Sequence, residues 1–133
     1  MPRILVVDDQ KDVRAMICMV LRVNQFEVSE AESAKAGLEA FAKSRFDAAV
    51  VDIFLKNECG FDLIAAMRES DPDLPVVAVS GMATLEAVAR SSELSNVVCL
   101  QKPFRPAELI RAIETARASA RQDEGGAAAR LSA

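Results

Sequence analysis

The sequence has 133 residues, of which 51% are hydrophobic and 27% charged, and its formal net charge at pH 7 is −4. This length fits one domain with a single buried core and leaves no room for a second catalytic or DNA-binding domain. The charge balance is acidic and no basic patch stands out, which argues against nucleic-acid binding by this chain. The absence of His excludes an imidazole base, a histidine metal ligand and a phosphohistidine.

Cysteine usage and the N-terminus bear on the compartment. Cys18, Cys59 and Cys99 are odd in number and widely spaced, which argues against a disulfide framework and against a zinc site. The apolar run at residues 4–7 meets two aspartates at once, so it is too short for a signal peptide or a membrane span. The sequence therefore predicts a cytoplasmic protein without membrane insertion.

Five short segments have the pattern of β-strands, and they alternate with five helical patterns. In chain order the strands are predicted at residues 4–7, 26–30, 48–51, 76–79 and 97–100. Four of these runs are continuously apolar and rich in β-branched residues, which is typical of buried parallel strands. Residues 26–30 instead alternate apolar and polar side chains, which predicts an edge strand with one wet face.

Each predicted helix repeats apolar residues at helical spacing, which gives it one buried face. In chain order these faces contain Val13, Ile17, Val20 and Leu21; Ala34, Leu38 and Phe41; Phe61, Ile64 and Ala65; Leu85, Val88 and Ala89; and Leu109, Ile113 and Ala116. Strict alternation of strands and helices predicts a doubly wound (βα)5 α/β fold, a parallel five-stranded sheet with helices on both faces. We expect the domain to span residues 1–118 and residues 119–133 to form a disordered tail.

Charged and polar residues follow four of the predicted strands. Asp8 and Asp9 come after the first strand, Asp52 after the third, Ser80 after the fourth and Lys102 after the fifth. The carboxyl ends of parallel strands meet at one edge, so these side chains are expected to converge. Three crowded carboxylates recruit a hard cation such as Mg²⁺. A carboxylate can also be a phosphoryl acceptor, with a lysine and a hydroxyl stabilising charge on the transferred group.

Simpler interpretations exist for each position taken alone. The candidates are a helix N-cap for Asp8-Asp9, a turn cap for Asp52, a tight loop for Ser80-Gly81 and a strand exit for Lys102-Pro103-Phe104. The occurrence of all four at successive strand ends favours a functional site. An aspartyl phosphatase or mutase requires a second acid two residues after the nucleophile. This chain has Phe54 there, which argues against both activities. A nucleotide-binding module wants a glycine-rich loop after the first strand, where this chain has acids.

Four motifs occur in this order along the chain: I-L-V-V-D-D, A-V-V-D-I, A-V-S-G and L-Q-K-P-F. Together they resemble the receiver domain of two-component response regulators, over residues 3–118, and more narrowly the stand-alone chemotaxis-receiver type. The resemblance implies the flavodoxin-like strand order 2-1-3-4-5. It also implies a phosphorylation-dependent change of partner binding at the face of the fourth helix, fifth strand and fifth helix. The implied donor is a sensor histidine kinase or a histidine phosphotransfer protein, and the downstream effector is unknown. An unphosphorylated docking module and a phosphorelay intermediate remain alternatives.

Residue by residue, the resemblance also implies a set of roles. Asp52 is the phosphoacceptor and one of the oxygen ligands of Mg²⁺; Asp9 binds the metal directly, Asp8 through water, and Phe54 through its backbone carbonyl. Ser80 holds a phosphoryl oxygen and Lys102 pairs with the phosphate, with a cis peptide bond to Pro103.

Two positions depart from the family pattern. Lys56 stands where the loop after the phosphoacceptor normally has Pro, and Cys99 stands where a switch aromatic is usual. We expect Lys56 to be an exposed loop residue and Cys99 to be a small buried hydrophobe. Because an aromatic rotamer flip is unavailable, signalling is expected to run through Ser80 and helix packing. Phe54 and Met82 flank the family's path for the hydrolytic water, which predicts slow autodephosphorylation.

Overall fold

The computed structural model describes residues 1–81 and 97–120 in full, together with the helical backbone of residues 121–132. In this part of the chain the elements are β1 (Arg3–Val7), α1 (Lys11–Val23), β2 (Glu27–Ala31), α2 (Ala34–Lys43), β3 (Ala48–Asp52), β4 (Phe54–Leu55), β5 (Glu58–Cys59), α3 (Gly60–Ser70), β6 (Val76–Ser80), β7 (Val97–Gln101) and α4 (Pro106–Ser132). The predicted helix with Leu85, Val88 and Ala89 lies outside the described residues, as does Met82. No helix within the described ranges is long and apolar enough to cross a membrane.

The main sheet has five parallel strands in the order β2-β1-β3-β6-β7. This is the predicted doubly wound order 2-1-3-4-5, which is therefore confirmed. The chain runs from β1 outward to β2 and then returns to the other side of β1 for β3, so the strand order reverses between β1 and β3. In the register, Val7 lies opposite Val51 and Asp52 lies opposite Val79, so the strands end level with one another. Ligands of open α/β sheets bind at such a reversal.

Two apolar cores cover the two faces of the sheet. Alternate residues of β1 divide between them, with Leu5 and Val7 in the core beneath α2 and α3, and Ile4 and Val6 in the core beneath α1 and α4. All four of these side chains are fully buried. Burial of each such aliphatic side chain contributes roughly 1.5–3 kcal/mol, so the central strands are firmly fixed. Functional groups at their ends therefore start from a rigid base.

The prediction for one of the two edge strands is confirmed, and the prediction for the other is wrong. The prediction of an edge position for the second strand is confirmed by β2. The prediction of a buried strand at residues 97–100 is wrong, because β7 is also an edge strand and its residues are only partly covered. The prediction that Cys99 is buried is wrong as well, since its side chain is exposed. Cys99 alternates with Val98 and Leu100, which pack toward the core of α1 and α4, so its side chain lies on the opposite face of this edge strand.

The predicted buried faces are confirmed in α1, where Ile17 and Leu21 are fully buried, and in α4, where Leu109, Ile113 and Ala116 are fully buried. Val13, Val20 and Phe41 of the predicted faces are partly buried, and two further residues are exposed. Leu38 of α2 is 39% exposed, and Ala65 of α3 is exposed.

The reason in α2 is close packing of its backbone on the sheet. The helix begins after Ser33, whose Oγ accepts a hydrogen bond from the Ala36 N–H at 3.1 Å. Gly37 is buried, and a Cβ at Gly37 would lie 3.1 Å from a methyl group of Val7. The helix turns this small residue toward the sheet, which leaves the neighbouring Leu38 at the rim. In α3 the buried positions are instead taken by Leu63 and Met67.

The C-terminal segment is helical in its backbone. Helix α4 begins at Pro106 and continues through Ser132, so it includes most of the predicted tail, residues 119–133. The disorder of this tail stays a prediction. Ala has the highest intrinsic helix propensity and forms the run at residues 127–129, whereas the preceding Gly125 and Gly126 disfavour a helix.

Candidate functional site

The predicted site residues lie together at the carboxyl edge of the sheet. Asp8 and Asp9 follow β1, Asp52 ends β3, Ser80 ends β6 and Lys102 follows β7. Carboxylate oxygens of the three aspartates lie within 4.8 Å of one another. The ammonium group of the lysine reaches two of these carboxylates. The structure thus brings the three aspartates and Lys102 into one cluster, beside the reversal of strand order between β1 and β3, and places Ser80 at the end of the neighbouring strand β6.

Asp52 ends β3 and is almost fully enclosed, with 4% of its surface exposed; only Asp8 in the cluster is less exposed, at 1%. Asp52 Oδ1 accepts a hydrogen bond from the Phe54 N–H at 3.0 Å, and its Oδ2 accepts one from Lys102 Nζ at 3.3 Å. Burial raises the pKa of Asp52 above its ordinary value, and the nearby Asp8 carboxylate raises it further; the Lys102 charge and the Phe54 N–H oppose this rise. Asp52 is therefore a carboxylate whose negative charge is only partly compensated.

Lys102 supplies the positive charge of the cluster. Its Nζ lies 3.1 Å from Asp8 Oδ2 and 3.3 Å from Asp52 Oδ2, and it donates a hydrogen bond to Gln10 Oε1 at 3.1 Å. The backbone N–H of Lys102 donates to the Ser80 carbonyl at 2.7 Å, which joins the ends of β6 and β7. The expected cis peptide bond between Lys102 and Pro103 is present. The lysine is thus fixed at both its backbone and its side chain.

The loop between β1 and α1 is fixed by its own hydrogen bonds. The Asp8 N–H donates to the Ala31 carbonyl at 3.1 Å, and Asp8 Oδ1 accepts from the Gln10 N–H at 2.8 Å. Arg14, on the first turns of α1, donates from Nη1 to the Asp8 carbonyl at 2.7 Å and from Nε to Glu30 at 3.3 Å. These contacts tie Asp8 to the helix and to the neighbouring strand.

The loop between β3 and α3 is a small hairpin. Strands β4 and β5 pair antiparallel, with Phe54 opposite Cys59 and Leu55 opposite Glu58. Lys56 and Asn57 form the two-residue turn, and Asn57 adopts a left-handed φ of 60°, which Asn tolerates better than most residues. The backbone N–H of Lys56 donates to Asp9 Oδ2 at 3.0 Å. The hairpin therefore reaches across to the acidic loop.

Gly60 closes this hairpin onto the strand that carries Asp52. Its N–H donates to the Ile53 carbonyl at 2.7 Å. A Cβ at Gly60 would lie 2.2 Å from the Asp52 carbonyl oxygen, a distance that no side chain can occupy. Glycine is therefore required here by close approach of two backbone segments.

The acidic cluster fits a hard divalent cation. Asp8 Oδ2 is buried and has no hydrogen-bond partner among the described residues, although Lys102 Nζ lies within ion-pair distance. A buried oxygen with unused lone pairs, beside two further carboxylates, is a suitable ligand set for Mg²⁺, which takes oxygen ligands and retains several waters. Asp9 is only partly buried, which leaves the cluster accessible from solvent.

The two remaining predicted residues stand next to the strand ends that carry this cluster. Ser80 is 6% exposed at the end of β6. Phe54 stands two residues after Asp52, and its side chain is 53% exposed. Lys56 is exposed, as predicted.

Sequence reasoning missed four contributors to this site. Gln10 accepts a hydrogen bond from Lys102, Arg14 holds the Asp8 carbonyl, the Lys56 N–H contacts Asp9, and Gly60 allows the hairpin to pack. The glycine could have been found from its place between a short hairpin and a helix. The other three contacts depend on tertiary distances that no local pattern encodes.

A doubly wound sheet with an acidic cluster, a hydroxyl and a lysine at its switch point has the architecture of a receiver domain. The comparison with protein families agrees, because the model of the response regulator receiver domain matches residues 4–114. The chain belongs to this family, which serves phosphorylation-based signalling in two-component systems.

Relatives and solved structures agree with this assignment. The transcriptional regulatory protein PrrA of Mycobacterium tuberculosis is 34% identical over 113 residues, which cover 85% of this chain and 48% of PrrA. The phosphate regulon transcriptional regulatory protein PhoB of Escherichia coli is 31% identical over 114 residues, which cover 84% of this chain and 50% of PhoB. The chain thus spans about half the length of these curated relatives. The structure of a CheY-like receiver domain protein from Methanospirillum hungatei is similar with a TM-score of 0.84 and 26% identity, covering 92% of this chain and 98% of that one.

Proposed function

We propose that the chain is a phosphorylation-dependent switch in which Asp52 accepts a phosphoryl group from a phosphohistidine. The observation that carries this proposal is the convergence of three carboxylates within 4.8 Å of one another with one lysine between two of them. The donor would be a sensor histidine kinase or a histidine phosphotransfer protein. Free cysteines at all three positions agree with the proposed cytoplasmic location.

In the proposed reaction, a carboxylate oxygen of Asp52 attacks phosphorus in line with the donor nitrogen. The P–N bond breaks, a P–O bond forms, and the leaving imidazole nitrogen takes up a proton. Mg²⁺, held by Asp8, Asp9, Asp52 and the Phe54 carbonyl, would neutralise charge on the transferred group when bound. Aspartyl-phosphate formation at Asp52 requires that its carboxylate be ionised, and Lys102 favours the ionised form.

Lys102 and Ser80 would act on the phosphoryl oxygens. The ammonium group lies 3.3 Å from Asp52 Oδ2, so a modest shift would bring it onto a phosphoryl oxygen of the modified residue. The Ser80 hydroxyl would hold a second oxygen. Since the Lys102 N–H donates a hydrogen bond to the Ser80 carbonyl, a shift of one of these residues would displace the other.

Residues 1–118 are proposed as the signalling unit, with residues 119–133 as a disordered tail outside it. The output would be a change of partner binding at one face of the domain. This face includes β7, which is the fifth predicted strand, α4, which is the fifth predicted helix, and the fourth predicted helix. The exposure of Cys99 on β7 places a small thiol where the family pattern has an aromatic switch side chain. We propose that the signal leaves through Ser80 and helix packing instead.

The decisive experiment is incubation with a small phosphodonor and Mg²⁺, followed by intact mass measurement. The wild type is expected to gain the mass of one phosphoryl group, and Asp52→Asn is expected to gain none. Addition of a chelator should abolish the wild-type adduct. A wild type that gains no mass would contradict the proposal and favour a docking module, and an adduct that persists in Asp52→Asn would place the acceptor elsewhere.

We also propose that the phosphorylated form decays slowly. Phe54 is bulky, apolar and half exposed beside Asp52, where it would impede an approaching water. Phe54→Asn is expected to shorten the lifetime of the phosphoprotein, and Phe54→Leu to leave it nearly unchanged. Measuring the decay of the phosphoprotein by intact mass tests this proposal. Equal lifetimes in the wild type, Phe54→Asn and Met82→Asn would contradict it.

A further inference from the structure

The hairpin formed by β4 and β5 touches the acidic cluster through one backbone hydrogen bond. The Lys56 N–H donates to Asp9 Oδ2 at 3.0 Å, across 47 positions of the sequence. The side chain of Lys56 is exposed, so the contact belongs to the main chain. A charge-assisted hydrogen bond from a backbone N–H orients a carboxylate and occupies one of its oxygens.

This donor exists because residue 56 is not a proline. Proline has no N–H, and the pattern that the sequence resembles normally has proline at this position. A chain with proline here would leave Asp9 Oδ2 without this partner. The departure at Lys56 therefore changes the surroundings of a proposed metal ligand, whatever the lysine side chain does.

We infer that the Lys56 N–H is a positioning group for Asp9, through which the hairpin sets the affinity of the acidic cluster for Mg²⁺. This inference depends on the proposed metal site. Engagement of Oδ2 fixes the rotation of the carboxylate and leaves its other oxygen for a cation. Groups that orient a metal ligand in this way typically change metal affinity by about 10–100-fold when they are removed.

The geometry of the hairpin allows the donor to be removed cleanly. Lys56 is outside the two paired positions of β4 and β5, so Lys56→Pro deletes no hydrogen bond of that ladder. Leu55, the preceding residue, is in an extended strand, which is the conformation that a following proline requires. Lys56 is not among the residues with a left-handed φ, so the proline ring suits the turn. The matched control is Lys56→Ala, which removes the same side-chain charge and keeps the N–H.

The test is calorimetric titration of each purified chain with Mg²⁺, without any phosphodonor. Lys56→Pro is expected to bind Mg²⁺ about tenfold more weakly than Lys56→Ala, and Lys56→Ala to remain within about twofold of the wild type. Equal affinities of the proline and alanine variants would overturn the inference. A wild type that does not bind Mg²⁺ would instead contradict the metal site of the proposed function, so the two failures are distinguishable.

A second pair of variants covers the case in which circular dichroism shows that Lys56→Pro is unfolded. Asn57 has a φ of 60°, which glycine adopts freely and a β-branched residue does not. Asn57→Val is expected to displace the turn and weaken Mg²⁺ binding at least about threefold relative to Asn57→Gly, a smaller effect than full loss of the oriented contact. Equal affinities in this pair would overturn the inference. In the wild type, hydrogen exchange of the Lys56 amide should slow when Mg²⁺ binds, and an unchanged exchange rate would count against a link between hairpin and metal.

Discussion

The acidic half and the cationic half of the site are held in different ways. Asp8 and Asp52 belong to the ends of β1 and β3, two central strands with a neighbour on each side and buried along their length. Lys102 follows β7, an edge strand whose residues are only partly covered. The acids are fixed by packing of the backbone around them. The lysine is fixed by one backbone hydrogen bond, by a side-chain hydrogen bond to Gln10 and by the charges that it faces.

This difference indicates which half is built to move. The central strands cannot shift without disturbing both cores, because their side chains are divided between the two faces. An edge strand has a free side and fewer packed neighbours, so its end can adjust when a charge at the site changes. Phosphorylation of Asp52 would change the charge that Lys102 faces. In the proposed switch, the input would therefore lie at the centre of the sheet, and the β7 edge would have more room to respond.

The largest effect is expected from breaking the packing of the acidic half with Gly60→Ala. The added methyl group would lie 2.2 Å from the Asp52 carbonyl oxygen, so the hairpin or β3 must shift. We expect a loss of about 3 kcal/mol in the free energy of unfolding. The better helix propensity of Ala at the start of α3 returns at most about 1 kcal/mol.

Gly81→Ala provides the matched control for this change. A Cβ at Gly81 would meet no atom of the described residues 1–81 and 97–120 within 4 Å, so its effect should stay within about 0.5 kcal/mol. Denaturant unfolding of both variants measures the difference. Similar stabilities of the two alanine variants would show that the backbone around Asp52 is less tightly fixed than the comparison requires.

The next effect is expected from breaking the cationic half with Lys102→Met. This change leaves Asp8 and Asp52 facing each other without the ammonium group that lies 3.1 Å and 3.3 Å from them. We expect a loss of about 2 kcal/mol, below the usual cost of breaking a fully buried pair because the lysine is partly exposed. Excess Mg²⁺ should restore most of this loss, since a divalent cation compensates the same carboxylates.

Lys56→Met is the control for the Lys102 change, because it removes an exposed lysine and keeps the N–H that Asp9 accepts. Thermal unfolding with and without Mg²⁺ would compare the two variants. If Lys102→Met were as stable as Lys56→Met in the absence of metal, the lysine would not be held by the charges it faces.

The central half of this comparison could be predicted from the sequence, and the edge half could not. Parallel strands end at a common edge, so the acids after residues 4–7 and 48–51 had to meet once the strands were recognised. The run at residues 97–100 is as continuously apolar as the run at 76–79, yet the first forms an edge strand and the second a central one. Composition reports burial in general and does not report the number of neighbouring strands. For that reason Cys99 was expected in the core and lies exposed.

The contacts that refine the site were beyond sequence reasoning for a different reason. The Lys56 N–H reaches Asp9 and the Arg14 guanidinium reaches the Asp8 carbonyl over distances set by two loop conformations. Every residue except proline has a backbone N–H, so the residue type does not show which of these groups contacts the site.

The smallest effect is expected from removing the charge of Asp52. It is a difference in stability between the wild type and Asp52→Asn that changes with pH. Burial, followed by the Asp8 charge, raises the pKa of Asp52 in the folded chain, while the unfolded chain keeps the ordinary value near 3.8. Below that value Asp52 is protonated in both states and costs nothing; as pH rises through the folded pKa, ionisation in the enclosed site lowers the stability of the wild type. Asp52→Asn cannot ionise, so it is expected to be more stable than the wild type at neutral pH and equal to it in acid. The gain in the free energy of unfolding should be smaller than the loss in Lys102→Met, because Lys102 already offsets part of the cost of the buried charge.

Denaturant unfolding across this pH range measures the difference in stability between the wild type and Asp52→Asn, with Glu69→Gln as an exposed carboxylate control. A gap that is constant with pH would show that the Asn substitution acts by packing, and that the charge of Asp52 is already balanced by the cationic half.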